Sequence, residues 1–270
     1  MKKLLFLAGM ISCSCPFSAQ YYQVMPASVT VAGAAVSDTS AYVAYNNPAA
    51  IAFQPGLSAG ISAANRFLLK ELTQSSLFIH LPLRYFHTTF NLTHNGFALY
   101  HEWMAGLDFS RTFGPKLSIG FQFNRFSFYS ASSRRYYSAF FPQLGMIYFP
   151  APKWTIGFQV FNPLQTNIEQ DEFLKHLPSV YQLGATYSVN ESLVWRLQLS
   201  GEVHAGYECS SGFEYRLSPD ISVKGGLIWG EFAVADIGIA FFRNHLSFYL
   251  NTRIHPLLGL YPVSSIVYQL

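Results

Sequence analysis

Apolar and polar residues alternate with a period of two in segments that follow one another along most of the chain. In residues 193–205, leucine, tryptophan or valine occupies most odd-numbered positions, and arginine, glutamine, serine, glutamate and histidine follow at the even-numbered ones. Residues 117–124, 154–160 and 246–255 show the same pattern. Because successive side chains of an extended strand point to opposite faces of a sheet, each segment predicts a β-strand with one apolar and one polar or small face.

The composition indicates where such a sheet lies. Half of the 270 residues are hydrophobic and 17% are aromatic, whereas only 11% are charged, against about 25% in soluble domains. No run of 18 apolar residues predicts a transmembrane helix. The polar positions hold mainly glycine, serine, threonine, glutamine and asparagine, whereas the outer face of a soluble β-sandwich is expected to be charged. We therefore predict an all-β fold, a transmembrane antiparallel β-barrel, in preference to a soluble sandwich.

Several functional classes are disfavoured by the sequence. The net charge of +3, from 17 basic and 14 acidic residues, is too small for a nucleic-acid surface. The eight histidines and three cysteines show no zinc-site spacing. The sequence has no phosphate-binding loop or paired-carboxylate site. We predict a protein that is not an enzyme and that has no metal site, no cofactor and no nucleic-acid partner.

The first twenty residues have the pattern of a secretory signal peptide. Lys2 and Lys3 form a basic start, and residues 4–11 form a short apolar stretch. Small residues follow, so we predict cleavage near Ala19 or Gln20. A membrane barrel that carries such a signal is expected in the outer membrane of a Gram-negative cell, in contact with its lipid.

The chain divides into three predicted parts. Residues 1–20 are the signal peptide, residues 21–56 form an N-terminal periplasmic or plug segment, and residues 57–270 form the transmembrane barrel. Cys13 and Cys15 follow the apolar stretch, and whether one of them carries a lipid stays open.

Turn residues divide the barrel into strands. Tight turns are predicted at residues 114–116, 150–153, 189–192, 218–220 and 243–245. Other connections, several of which are longer, are predicted at residues 129–135, 162–178, 207–211 and 255–258. This alternation is typical of tight periplasmic turns and longer extracellular loops. The count is about fourteen strands, with a range of 12–16 because residues 96–113 suit one strand or two. An even count places both chain ends on the periplasmic side.

The longest predicted connection carries a run of charged residues. We interpret residues 166–176 as a short helix outside the barrel, which is either a surface for a partner or a solvated charge run.

Asn46, Asn47 and Pro48 form the first candidate for a functional site. Proline cannot donate to a β-ladder and restricts Asn47 to extended geometry. Asparagine side chains can satisfy backbone groups locally. We favour a plug in the barrel lumen over an ordinary turn before the first strand.

Charged residues on the polar faces of neighbouring strands form the second candidate. They are Arg196, Glu202, His204, Glu214, Arg216, Lys224, Asp236, Arg253 and His255. This set either lines a polar pathway or forms a neutralising network that fills a closed lumen. We favour the network because both signs of charge are interspersed, whereas a selective pore would carry an excess of one sign.

Both ends of the chain resemble one family of membrane barrels. Residues 27–38 are rich in small side chains, and residues 44–51 contain the sequence Asn47-Pro48-Ala49. These segments are similar to the N-terminal region of FadL-like barrels, especially the PorV/PorQ proteins of Bacteroidetes. Residues 249–259 and 264–270 resemble the last hairpin of that group. The resemblance implies fourteen strands and an N-terminal segment that enters the lumen as a small plug.

The resemblance also implies a function. PorV/PorQ proteins belong to the type IX secretion system, where they act in delivering or attaching secreted cargo. From this we expect a protein that assists type IX secretion or cell-surface attachment, with secretion components or cargo as partners. The alternative is FadL-like transport of hydrophobic small molecules across the outer membrane. The chain departs from the group in its short length and in ending with Leu270 instead of phenylalanine.

Overall fold

Fourteen antiparallel strands close into one barrel in the computed structural model, which describes residues 27–43, 45–170 and 173–270. The barrel strands are β1 (Ser58–Asn65), β2 (Thr73–Pro82), β3 (His87–Phe97), β4 (Tyr100–Phe113), β5 (Leu117–Ser130), β6 (Arg135–Ala151), β7 (Trp154–Phe161), β10 (Val180–Ser188), β11 (Leu193–Glu202), β12 (Gly206–Ser218), β13 (Ile221–Trp229), β14 (Ala233–Arg243), β15 (Leu246–His255) and β16 (Gly259–Gln269); β8 (Asn167–Gln170) and β9 (Phe173–His176) form a separate hairpin. Strands next to each other in the chain pair, and β1 pairs with β16. The predicted all-β barrel and its count of fourteen strands are confirmed.

The period-two pattern sets the two surfaces of the barrel. Along β5, Ile119, Phe121 and Phe123 are exposed on the outer wall, whereas Ser118 and Gln122 are buried in the lumen. The other strands repeat this division, with leucine, phenylalanine, tyrosine and tryptophan outward. An apolar outer wall without free strand edges is suited to lipid, where unpaired backbone groups would be costly. No helix in the described ranges is long and apolar enough to cross a bilayer.

The two ends of the barrel differ in their connections. At one end, which we call the tight-turn end, connections of two to four residues join the strands, and β1 begins and β16 ends there. At the opposite end, the hairpin end, residues 162–179 form the longest connection and contain β8 and β9. The predicted signal peptide, its cleavage site near Ala19 or Gln20, and Cys13 and Cys15 lie outside the described residues.

Two local predictions change, and one alternative that the sequence left open is decided. Residues 207–211 are not a connection but lie in β12, because Glu202 pairs with Gly206 and the turn closes earlier. Residues 96–113 contain one turn, at residues 98–99, followed by the long strand β4. Within the predicted helix at residues 166–176, residues 167–170 and 173–176 are instead the paired strands β8 and β9, which turn the apolar Ile168 inward, where it is buried.

Candidate functional site

The lumen is occupied from the tight-turn end by the N-terminal segment. Residues 27–57, which we call the plug, contain three 3-10 turns, Val31–Gly33, Ala41–Val43 and Ala50–Phe53. Its described side chains are mostly alanine, valine and serine, and most of them are buried. Tyr45 donates a hydrogen bond to the carbonyl of Gly60 (3.2 Å), and burial raises the pKa of its hydroxyl. Small side chains let the plug backbone approach the wall closely.

Glycines on the lumen wall make room for the plug backbone. Four of them, which we call the glycine band, lie on four adjacent strands: Gly120, Gly145, Gly157 and Gly184. A Cβ atom at Gly145 would lie 2.0 Å from Oδ1 of Asn47. A Cβ atom at Gly157 would lie 2.0 Å from the carbonyl oxygen of Val36. Because such approaches are far inside van der Waals contact, only glycine fits there while the plug is in place.

The predicted Asn46-Asn47-Pro48 motif lies on this band, inside the lumen. The amide of Asn47 donates to the carbonyl of Val36 (2.7 Å), and its Oδ1 accepts from the N–H of Ala49 (3.0 Å). Gln143 on β6 donates to the carbonyl of Asn46 (2.6 Å). The side chains thus satisfy plug backbone groups that have no sheet partner, as buried polar groups require.

Charged wall residues hold the first half of the plug. Arg196 pairs through Nη2 with Asp38 of the plug (2.9 Å) and through Nη1 with Glu214 (3.0 Å). Lys224 donates to the carbonyl of Val29 (3.2 Å) and lies 4.0 Å from Glu214. The charges alternate in sign around a buried contact, so the wall and the plug neutralise each other.

A second charged group contacts the plug from β14 and β15. Asp236 pairs with Nε of Arg253 (3.2 Å) and accepts from the amide of Asn251 (3.2 Å). Nη2 of Arg253 is 3.4 Å from the carbonyl of Ser28, to which it donates. Arg253 therefore connects a buried wall carboxylate with the plug backbone.

The other predicted network residues lie near strand ends. Glu202 is half-buried at the end of β11, and His204 is exposed in the turn that follows. Arg216 is exposed, with its guanidinium 5.5 Å from the ring centre of Phe242. His255 accepts hydrogen bonds from two backbone N–H groups of the β15–β16 turn. The structure brings Arg196, Lys224 and Arg253 into contact with the plug, with Asp236 paired to Arg253, and leaves Glu202, His204, Arg216 and His255 outside that contact.

Asp38 is a functional residue that the sequence interpretation did not single out. It is the only acidic residue between Ala27 and Leu57, and it is 3% exposed. A lone acid in a segment of small residues was the available signal, because a buried carboxylate needs a cationic partner.

Aromatic side chains fill the lumen beneath the β8–β9 hairpin. We call them the aromatic cluster: Phe126, Phe128, Tyr137, Phe141 and Phe161, each at most 4% exposed. Ile168 and Leu177 of the long connection pack on this cluster and are buried. The hairpin therefore closes the lumen mouth opposite the plug.

One lysine joins the hairpin to the wall. The ammonium of Lys175 pairs with Glu102 and lies 4.8 Å from the ring centre of Phe128 and 5.1 Å from that of Tyr100. A cation over aromatic faces is electrostatically favourable. Asn162, in the left-handed region at φ 51°, binds the backbone at the hairpin base through its side chain.

A pair of histidines lies near a serine at the tight-turn end. Nδ1 of His80 is 3.3 Å from Oγ of Ser58, and its Nε2 is 3.0 Å from Nδ1 of His87. Ser58 and His80 are fully buried, and the group behind His80 is a second imidazole instead of an orienting carboxylate. The arrangement therefore lacks the access and the third group of an activated serine.

A groove lies on the outer side of the barrel wall. It encloses about 570 Å³ and is lined by side chains that include Ile61, Leu77 and Trp103. The strands behind it, β16, β1 and β2, are paired along their length. The groove is therefore a depression on the lipid-facing surface, while the described wall stays closed.

Comparison with known proteins supports the fold. No protein-family model matches the sequence, and no curated protein matches it. Solved structures do match: a FadL homologue of Pseudomonas aeruginosa (TM-score 0.67, 11% identity, 93% of this chain and 99% of that chain), the Pseudomonas putida toluene transporter TodX (0.68, 11%, 92% and 98%) and the Ralstonia pickettii toluene transporter TbuX (0.64, 9%, 89% and 96%). At these identities the likeness concerns the fold, which is that of FadL-like barrels.

Proposed function

We propose that this chain is an outer-membrane barrel that transports hydrophobic small molecules, with the aromatic cluster as the binding site in its lumen. The cluster is the observation that carries the proposal, because it groups buried aromatic side chains inside a lumen lined mostly by polar ones. Binding sites for apolar ligands are enclosed and rich in aromatic residues. The toluene transporters TodX and TbuX, which share the fold, support a ligand of this class.

The geometry of the cluster suits a flat apolar ligand. Phe128 and Tyr137 stack with ring centres 5.1 Å apart, and Phe141 meets Phe161 edge to face at 4.9 Å. If one ring of such a pair turns away, an aromatic ligand can take its place and make the same stacked or edge-to-face contact with the ring that stays. A monoaromatic hydrocarbon is therefore the ligand class that we propose.

The described state is closed at both ends. The plug fills the tight-turn end, the hairpin covers the aromatic cluster, and the strand pairing between them is complete. Passage of a ligand therefore requires displacement of the hairpin or the plug. The strand count is even, and β1 begins at the same end of the barrel at which β16 ends. Both features agree with termini on the periplasmic side, so in this proposal the hairpin faces the outside.

Uptake of radiolabelled toluene by Gram-negative cells that lack their own hydrophobic channel tests the proposal. Cells that express the chain should take up toluene several-fold faster than cells with an empty vector. Phe128→Leu should lower that rate because it removes a cluster ring, whereas Phe78→Leu, a buried lumen residue outside the cluster, should preserve it. If cells that carry the barrel in their outer membrane take up toluene no faster than empty-vector cells, transport is refuted.

Assistance of type IX secretion remains a prediction from the resemblance of the two chain ends. The long connection, which the sequence offered as a partner surface, turns Ile168, Lys175 and Leu177 toward the lumen. This inward packing leaves less of the segment for a partner. Cross-linking in native membranes followed by identification of secretion components would support this second function, and recovery of the barrel alone would count against it.

A further inference from the structure

Three polar side chains are buried together in the wall beside the plug. Thr89 and Asp108 are direct partners across β3 and β4, and Ser110 follows Asp108 on the same face of β4. Thr89 and Asp108 have no exposed surface, and Ser110 is 2% exposed. Within the described part of the chain, both carboxylate oxygens of Asp108 and both hydroxyls lack a hydrogen-bond partner.

The strand register places these residues next to one another on the lumen face, at the plug edge. Side chains that face each other across antiparallel strands have Cβ atoms about 4.5–5.5 Å apart. Ser110 pairs with Gly120, and Gly120 lies directly against the carbonyl group of Pro48. A plug carbonyl therefore borders the same region as the three wall side chains.

Neighbouring donors do not satisfy the carboxylate. Gln122, the partner of Asp108 on β5, donates from its amide to Asn124 (2.7 Å). The two ring nitrogens of His80 on β2 contact Ser58 and His87, and His87 is the residue that faces Ser110 across β3 and β4. Since Asp108 also has no contact with Thr89 or Ser110 within hydrogen-bond distance, the three groups do not satisfy one another.

A buried carboxylate is strongly unfavourable unless a cation or a proton neutralises it. A proton on Asp108 would remove the charge but would leave the two hydroxyls without partners. A cation between the groups would compensate the carboxylate charge, and the hydroxyl and carbonyl oxygens would serve as further, neutral ligands. Carboxylate, hydroxyl and carbonyl oxygens together are the donor set that hard cations prefer.

We propose that Asp108, Thr89 and Ser110 hold a hard cation of the Ca²⁺ type against the edge of the plug. The described residues contain no group of three His, Cys, Asp or Glu side chains placed for a metal ion. The site therefore uses one carboxylate and neutral oxygens, a set that favours Ca²⁺ over Zn²⁺. In this position the cation links β3, β4 and the plug, and it is independent of the aromatic cluster and of the transported molecule.

Calorimetric titration of the purified full-length barrel with CaCl₂ in detergent, after treatment with EDTA, tests the site. The wild type should show saturable binding of one Ca²⁺ per chain, and Asp108→Asn should lose it. Thr89→Val should weaken binding. Thr93→Val is the matched control, because Thr93 is a buried lumen residue of the same strand that already bonds Ser76 (3.1 Å), and it should bind as the wild type does.

Folding of each variant is checked by the heat-dependent shift of barrel migration in gels. If Asp108→Asn does not fold, Ser110→Ala replaces it and should weaken Ca²⁺ binding. Absence of saturable binding to the wild type would overturn the proposal, and so would equal binding to the wild type and to the folded Asp108 or Ser110 variant. Failure of toluene uptake alone would leave the calorimetric result unaffected, so the two proposals are tested separately.

Discussion

The plug and the hairpin close the two ends of the lumen by different physical means. The plug contacts the wall through its backbone, which lies on glycines, and through buried ion pairs such as Arg196–Asp38. The hairpin contacts the wall through side chains, with Ile168 on aromatic rings and Lys175 on Glu102. Backbone contacts allow little adjustment, whereas side chains exchange one rotamer for another at modest cost.

This difference indicates which end opens first. Removal of the plug would expose the buried carboxylate of Asp38 and the glycine band together, so its contacts are lost as a group. The hairpin has two four-residue strands that pair with each other and not with the barrel sheet, and a two-stranded hairpin of this kind is marginally stable by itself. We therefore expect local opening at the hairpin end while the plug stays in place.

The largest effect is expected from loss of the plug ion pair. Arg196→Met leaves the Asp38 carboxylate buried without its guanidinium, which should lower the free energy of unfolding by about 3–5 kcal/mol. The midpoint of urea unfolding in detergent measures this. Arg216→Met is the matched control because Arg216 is exposed, and its effect should stay within about 0.5 kcal/mol. Equal effects of the two variants would mean that the ion pair does not hold the plug.

A smaller effect is expected from the glycine band. The methyl group in Gly157→Ala would meet the Val36 carbonyl, so the plug backbone must shift, at a cost of about 1–3 kcal/mol. Hydrogen exchange of the plug amides should then accelerate. Gly230→Ala, where the nearest atom to the new methyl is 3.9 Å away, should leave exchange unchanged. Wild-type exchange in Gly157→Ala would contradict a plug held by close backbone approach.

The features that sequence reasoning predicted are those with a local signal. The outward and inward faces of β5 follow from alternation within a few residues, and Pro48 marks the plug because it cannot join a sheet. The same reasoning carried the alternation of β11 onward to His204, although the strand ends at Glu202, where a turn begins. The end of a strand depends on the turn that follows it, and the alternation of apolar and polar residues gives no information about that turn.

The features that sequence reasoning missed depend on distant contacts. Asp38 gains its role only when β11 brings Arg196 beside it, and the hairpin forms where a helix was predicted because Ile168 finds the aromatic cluster. The partnerless position of Asp108 also becomes visible only when the neighbouring side chains are placed. No pattern within one segment carries these contacts.

The last effect is expected to stay confined to the hairpin, and it tests whether the two ends are independent. Lys175→Met keeps an apolar chain on the rings but removes the ammonium from Glu102, which should cost about 2 kcal/mol. Because this loss is local, amides of β8 and β9 should exchange roughly thirty-fold faster, while plug amides keep their wild-type rates. Lys153→Met, at an exposed lysine of the β6–β7 turn, should change neither. Faster hydrogen exchange of the plug amides in Lys175→Met would show that the two closures are coupled, because a substitution at the hairpin end would then change the stability of the plug end.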